Sequence, residues 1–152
     1  IDSGEGQGNS LSGRRVALTF ADTSTRHLST IPSKRKYKHR NLDLSATEFI
    51  DDAALYAPDA EGSRLNGLAY TNILGEMALE AHPTKTVMVI VGTKDFIEKS
   101  REEIKTNPTL IQGNIVKEAD FEIYLGQKVP TGGRKEYINL NLDRPFANSR
   151  SR

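Results

Sequence analysis

The spacing of apolar residues changes along the chain and predicts both helices and strands. Across residues 61–81 apolar side chains recur every three or four positions, which is the spacing of one helix face. His82-Pro83 ends this helix, because the residue before a proline avoids helical backbone angles. A less regular helical pattern covers residues 10–28, and a short charged helix is predicted for residues 94–105.

Strand patterns lie between these helices. Residues 42–46 alternate apolar with polar side chains, and residues 53–57 form a second short strand. A hairpin is therefore predicted, with its turn at Phe49-Ile50-Asp51-Asp52. Further predicted elements are a strand at residues 86–91, a hairpin at 110–116, a strand at 121–125, a turn at Gly132-Gly133 and a weakly helical tail. Because helices and strands do not alternate regularly, the predicted fold class is α+β.

The composition narrows the class of protein. The chain has 152 residues, the size of one domain, and only 36% are hydrophobic with no Trp, so a modest core is predicted. The absence of Cys excludes disulfides, thiolate metal sites and thiol nucleophiles. No apolar run approaches the roughly 20 residues of a membrane-spanning helix, so no membrane partner is expected. A chain without Cys fits a reducing compartment, so an intracellular location, cytoplasmic or nuclear, is the expectation.

Charge is unevenly distributed, although the net charge is only +1. Residues 1–40 carry eight Lys or Arg and three Asp or Glu. Residues 41–81 carry one Arg and eight Asp or Glu. Residues 82–152 are again basic, with twelve and nine. An acidic centre favours a bound cation, and basic flanks favour a polyanionic partner; ordinary surface patchiness is the alternative interpretation.

The adjacent carboxylates Asp51 and Asp52 are the first candidate site. In an extended strand they would point to opposite faces, but in a tight hairpin turn both can approach one cation. Mg²⁺ prefers oxygen ligands and commonly takes one or two protein carboxylates together with substrate phosphates. The alternative is an exposed pair of turn aspartates, since Asp is common in turns.

Four segments, in this order along the chain, resemble the motifs of reverse transcriptases. Phe49-Ile50-Asp51-Asp52 is similar to their aromatic-x-Asp-Asp signature. Gln7-Gly8-Asn9-Ser10-Leu11-Ser12 resembles the Gln-Gly-x-x-Leu-Ser segment that opens the template-contacting helix. His82-Pro83-Thr84-Lys85-Thr86 resembles the Asn-Pro-x-Lys-Thr segment, and Tyr124-Leu125-Gly126 resembles the hairpin that meets the primer. The order and spacing are those of non-LTR retrotransposon enzymes.

The resemblance implies a role for each segment. Asp51 and Asp52 would be catalytic and would bind Mg²⁺, and Lys85 would be a further catalytic residue near the nucleotide phosphates. The other implied contacts are Gln7 and Gly8 with the template or nucleotide, and Tyr124, Leu125 and Gly126 with the primer.

The resemblance also implies an incomplete polymerase domain with a palm-like antiparallel sheet and packed helices. Residues 1–130 would be the C-terminal half of the palm, and residues 131–152 a tail or the start of a following segment. The implied function is two-metal nucleotidyl transfer by an RNA-directed DNA polymerase, with an RNA template, a DNA primer and a deoxynucleotide as partners.

A further aspartate of the family's metal site lies upstream of the segments matched here. An N-terminal fingers and palm segment is therefore an expected partner, and the chain alone is expected to be inactive. The alternative is a non-catalytic module, derived from a retroelement palm, that binds nucleic acid or protein.

Overall fold

The computed structural model describes residues 12–49 and 52–142, and the side chains of residues 21–48 and 52–142. The chain divides into two compact units, Ile1–Ala81 and His82–Arg152. Each unit combines helices with short two-stranded sheets, so the predicted α+β class is confirmed. Within the described residues no helix is both long and apolar enough to span a membrane.

The first unit contains two long helices and two hairpins. In chain order its elements are α1 (Ser12–Thr30), a 3-10 helix (Ser33–Arg35), β1 (Lys38–His39), β2 (Leu42–Asp43), β3 (Ala46–Phe49), β4 (Asp52–Leu55) and α2 (Ala60–Glu76). Helix α1 packs against both α2 and β3, and α2 also contacts β4. The predicted helices at residues 10–28 and 61–81 are confirmed as α1 and α2.

The second unit has more strands and shorter helices. Its elements are β5 (Val87–Met88), α3 (Lys94–Thr106), β6 (Leu110–Ile111), β7 (Asn114–Ile115), β8 (Lys117–Glu118), β9 (Phe121–Tyr124), β10 (Gln127–Pro130) and α4 (Arg134–Asn141). The charged helix predicted for residues 94–105 is confirmed as α3, and the predicted helical tail as α4. The predicted strand at residues 86–91 is confirmed only at β5, with one further bridge from Val91 to Gly132.

The described strands pair two by two. Pairs β1–β2, β3–β4, β6–β7 and β9–β10 are antiparallel, and β5–β8 is parallel. Two hairpins turn through residues with positive φ, at Gln112-Gly113 and at Leu125-Gly126. Two-residue hairpin turns require this backbone because it matches the twist of the paired strands.

The strand predicted at residues 42–46 is divided by a bend. Residues Leu42–Asp43 pair with Lys38–His39, and only Ala46 continues into the hairpin with β4. The carboxylate of Asp43 accepts hydrogen bonds from the Ser45 backbone N–H (3.0 Å) and hydroxyl (2.6 Å). This local bonding turns the chain between the two strands, as short polar side chains commonly do.

Helix α2 is bounded by specific caps. At its start the Asp59 carboxylate accepts a 2.7 Å hydrogen bond from the Gly62 N–H, which satisfies a helix donor that has no partner in the helix. At its end Ala78 has φ +56, and the Leu79 N–H returns to the Leu74 carbonyl. The helix therefore ends at Glu76, five residues before the predicted end.

The core of the first unit is unusually polar. Its buried apolar residues include Ile31, Tyr70, Ile73 and Leu74. Its buried polar residues include Thr23, His27, Ser45, Asn66 and Thr71. Because polar groups stabilise a core only where they find partners, this unit depends on specific contacts and its apolar core is modest, as predicted.

Candidate functional site

The β3–β4 hairpin holds the candidate carboxylate pair at its end. Phe49 pairs with Asp52 across the two strands, and this is the last described pair at this end of the hairpin. Asp52 is the first residue of β4, and its side chain is exposed. Asp51 lies outside the described residues. The pairing of β3 with β4 confirms the predicted hairpin, and Ile50 of the predicted turn also lies outside the described residues.

The two faces of this hairpin differ in chemistry. Side chains alternate along a strand, and directly paired residues share a face. Glu48 pairs with Ala53, so Asp52, the neighbour of Ala53 in β4, lies on the face opposite to Glu48. The Glu48 carboxylate accepts a 2.9 Å hydrogen bond from the Tyr70 hydroxyl of α2. Glu48 therefore faces the helices, and its bond to Tyr70 explains how a carboxylate is accommodated there.

A buried histidine lies behind this contact. The His27 ring of α1 meets the Tyr70 ring edge to face, with centroids 5.3 Å apart. The His27 side chain is fully buried, and neither ring nitrogen makes a hydrogen bond to a described residue. Burial is the largest cause that lowers the pKa of His27, the nearby Arg35 charge adds to it and Asp43 opposes it, and together they bring the pKa to about 4. His27 is therefore neutral at physiological pH.

The described residues supply part of what a magnesium site needs. An exposed carboxylate at a hairpin end, such as Asp52, is a hard oxygen donor that a hydrated cation can reach. Among the described residues no group of three or more His, Asp or Glu side chains could together hold a metal ion. The chemistry of Asp52 fits Mg²⁺, and a complete two-metal site would need further ligands.

Lys85 lies in the second unit, in a turn that leads into β5. The Lys85 and Thr86 N–H groups both donate to the His82 carbonyl, at 3.2 and 3.1 Å. The Lys85 side chain is exposed. Lys85 therefore lies just before the strand β5, which begins at Val87.

Tyr124, Leu125 and Gly126 form the end of the β9–β10 hairpin. Tyr124 pairs with Gln127, and Leu125 and Gly126 are the connecting residues, with φ +49 and +76. The Leu125 side chain is 55% exposed. The structure therefore places Tyr124 at the end of β9 and Leu125 and Gly126 in the turn that leads to β10.

The predicted site residues belong to different parts of the chain. Gln7 and Gly8 lie outside the described residues. Asp52 belongs to the first compact unit, whereas Lys85 and the Tyr124–Gly126 turn belong to the second.

An aromatic pair near the basic segment was not predicted as a site. The rings of Tyr37 and Tyr56 are stacked with centroids 6.1 Å apart and an interplanar angle of 30°. Tyr37 stands inside the basic run of residues 34–40, so one half of the signal was visible in the sequence. Its contact with Tyr56 depends on the fold of the intervening residues, which no local pattern specifies.

Similarity to known proteins was sought at three levels. Comparison with protein-family models, with curated proteins and with solved structures finds no significant match to this chain.

Proposed function

We propose that this chain is part of an RNA-directed DNA polymerase of the reverse-transcriptase type, with Asp51 and Asp52 contributing to its two-metal site. The observation that carries the proposal is the register of β3 and β4, which pairs Phe49 with Asp52. The first and last residues of the aromatic-x-Asp-Asp segment are therefore paired at the end of an antiparallel hairpin. That placement suits a carboxylate pair which must meet a cation and a polyanionic substrate.

The proposed chemistry assigns a limited task to the protein. Asp51 and Asp52 would hold Mg²⁺, which when bound supplies activation of a primer hydroxyl and stabilisation of the leaving pyrophosphate. The hairpin positions Asp52, because four paired residues on each strand hold β3 against β4. Within this proposal the palm-like sheet is completed, and the third carboxylate supplied, by an N-terminal fingers and palm segment.

The other proposed contacts are with the substrates. Gln7 and Gly8 would meet the template or nucleotide, Lys85 the phosphates of the deoxynucleotide, and the Tyr124–Gly126 turn the DNA primer. Lys85 is suited to this task because an exposed ammonium group can approach phosphate without losing an existing ion pair among the described residues.

Primer extension on an RNA template tests the proposal. The chain would be assayed alone and together with the fingers and N-terminal palm segment of a non-LTR reverse transcriptase. We expect extension only in the mixture, and we expect Asp51→Asn with Asp52→Asn to abolish it. Extension that persists in this double variant would refute the metal-site assignment.

Metal binding gives a second readout that does not need activity. Paramagnetic Mn²⁺ should broaden the backbone amide signals of β3 and β4 near Asp52, and the same double variant should remove this broadening. A matched control is Glu102→Gln with Glu103→Gln, an adjacent and exposed acidic pair on α3. Broadening that follows the α3 pair instead of the hairpin pair would contradict the proposed site.

A further inference from the structure

The stacked rings of Tyr37 and Tyr56 lie beside a concentration of positive charge. Residues 34–40 contain five Lys or Arg and one His. The two rings are 44% and 38% exposed, although aromatic rings of this size are usually buried to a greater extent. Exposed aromatic rings within a basic surface are the combination that binds unpaired bases and their phosphates.

The aromatic pair is held by the buried residue Ser45. The Ser45 hydroxyl oxygen accepts a 2.8 Å hydrogen bond from the Tyr37 N–H, and the Ser45 carbonyl accepts one of 2.9 Å from the Tyr56 N–H. The Ser45 hydroxyl in turn donates to Asp43. One buried residue therefore fixes the backbone of both tyrosines, so the rings are positioned before any ligand binds.

The Lys and Arg side chains near the tyrosine pair differ in whether a carboxylate already lies close to them. The Lys36 ammonium pairs with the Asp43 carboxylate at 2.9 Å, so its charge is already compensated. Lys34 and Arg35 line a cleft of about 330 Å³ whose other lining residues include two carboxylates, Asp59 and Glu61. The cations of the β1–β2 hairpin, Lys38 and Arg40, are exposed and do not line this cleft. They are therefore the charges best placed to meet a polyanion.

We propose that Tyr37 and Tyr56, together with Lys38 and Arg40, form a binding surface for single-stranded nucleic acid. Unpaired bases stack on the exposed rings, and the hairpin cations contact the phosphates. This surface deepens the proposed polymerase function, because it identifies where the first unit would hold a template or primer strand. Only that template or primer role rests on the proposed function; the binding of single strands itself does not. Tyr56 follows Asp52 by four strand positions, so the surface begins about 13 Å from the candidate metal site.

Fluorescence anisotropy with labelled oligonucleotides tests this surface. Oligo(rU) and oligo(dT) of about 12 nucleotides would be titrated with the full chain in EDTA, beside a duplex of the same length. We expect both single strands to bind more tightly than the duplex, because stacking on the tyrosines requires unpaired bases. A difference between the two single strands would identify RNA or DNA as the preferred partner.

Substitutions separate the stacking contribution from the charge contribution. Tyr56→Ala should weaken single-strand binding on the order of tenfold, whereas Tyr56→Phe should retain most of it. Tyr137→Ala removes a similarly exposed ring from α4 and is the matched control, with no expected effect. Lys38→Gln with Arg40→Gln should reduce the dependence of affinity on salt, by about 0.7 in the logarithmic slope for each phosphate that is no longer neutralised.

Three results would overturn the proposal. These are the absence of single-strand binding at low salt, equal binding of duplex and single strand, and binding that is unchanged in both Tyr56→Ala and the charge variant. Circular dichroism would verify folding, and the charge variant alters only exposed side chains, so the test holds even if Tyr56→Ala does not fold. Binding in EDTA does not involve the metal site, so its outcome is independent of Asp51→Asn with Asp52→Asn in the extension assay.

Discussion

The two hairpins that carry candidate site residues are supported differently. The β3–β4 hairpin is backed by buried side chains, since Glu48 bonds to Tyr70, which in turn contacts His27. The β9–β10 hairpin is supported at its edge by α4, and its Phe121, Ile123 and Leu125 side chains remain exposed.

This difference indicates which hairpin is sensitive to changes in buried polar groups. A turn supported through buried polar groups is sensitive to protonation and to the loss of single atoms, because such groups are costly when unpartnered. A turn supported at an exposed edge depends on a few hydrogen bonds to that edge and on its own backbone geometry. A substitution that weakens one hairpin should therefore leave the other unit unchanged, as amide hydrogen exchange can show.

The largest expected effect is a pH dependence of the first unit through His27. Because its folded-state pKa is lowered to about 4, the unfolded chain binds more protons between that value and the ordinary histidine value of 6.5. The stability is fully present above the unfolded pKa and falls as the pH decreases through this window. At about pH 5 the expected loss is on the order of 2 kcal/mol.

Urea unfolding at neutral pH and at about pH 5 measures this effect, and His27→Leu is the variant that removes it. Leu fills a similar volume, and no hydrogen bond of the His27 ring to a described residue is lost. The variant should therefore match or exceed wild-type stability at neutral pH and should lose little of it on acidification. An equal loss in the variant would assign the pH dependence to carboxylates such as Asp43.

The next largest effect concerns the support of the second hairpin. The Asn141 amide of α4 accepts a 3.0 Å hydrogen bond from the Lys128 N–H and donates one of 2.7 Å to the Lys128 carbonyl. It thereby satisfies both backbone groups of a strand residue, as a neighbouring strand would. Asn141→Leu should destabilise the β9–β10 hairpin by about 1–2 kcal/mol, with faster amide exchange at Lys128.

The outcome for the first unit distinguishes local from global support. Exchange of β3 and β4 amides should be unchanged in Asn141→Leu. Faster exchange there as well would show that the two hairpins share one cooperative unit, and the contrast between them would not hold. Tyr137→Phe is a milder control, since it removes only the 3.2 Å bond to Gln127.

A smaller effect is expected from Tyr70→Phe, which removes the hydroxyl that bonds to Glu48. The ring and its contact with His27 remain, so the loss is that of one hydrogen bond to a half-buried carboxylate, about 1 kcal/mol. Chemical denaturation measures the loss, and Glu48→Gln should recover part of it in the double variant because the remaining group is then uncharged. No recovery would indicate that Glu48 reaches water in the absence of Tyr70.

The sequence predicted the secondary structure of both hairpins better than their surroundings. Turn residues and short apolar runs are local signals, so the ends of β3–β4 and of β6–β7 were placed correctly. The bend at Ser45 was missed because it depends on the Asp43 side chain bonding to a backbone group two residues later. Residues 42–46 carried an ordinary strand pattern that could not show it.

The candidate sites followed the same rule. Asp52 and the Tyr124–Gly126 turn were found because their motifs are contiguous in sequence. Two other contacts join residues about 20 positions apart, Glu48 to Tyr70 and Tyr37 to Tyr56. Such contacts depend on how α2 packs and on where Ser45 directs the chain, and neither is encoded by local periodicity.

The smallest expected effect concerns backbone geometry at Gly126. Its φ of +76 is readily adopted by glycine but strained for residues with a Cβ, so Gly126→Ala should destabilise the β9–β10 hairpin by about 1 kcal/mol or less. Gly113→Ala is the matched control, because Gly113 has φ +81 at the same position of the β6–β7 turn and open space around its Cβ position. Thermal unfolding of both variants should show similar small decreases in melting temperature.

If the primer contacts the Tyr124–Gly126 turn as proposed, only Gly126→Ala should also weaken primer binding in the complemented extension assay. Equal effects of both variants on that assay would mean that the turn at Gly126 has a structural role alone.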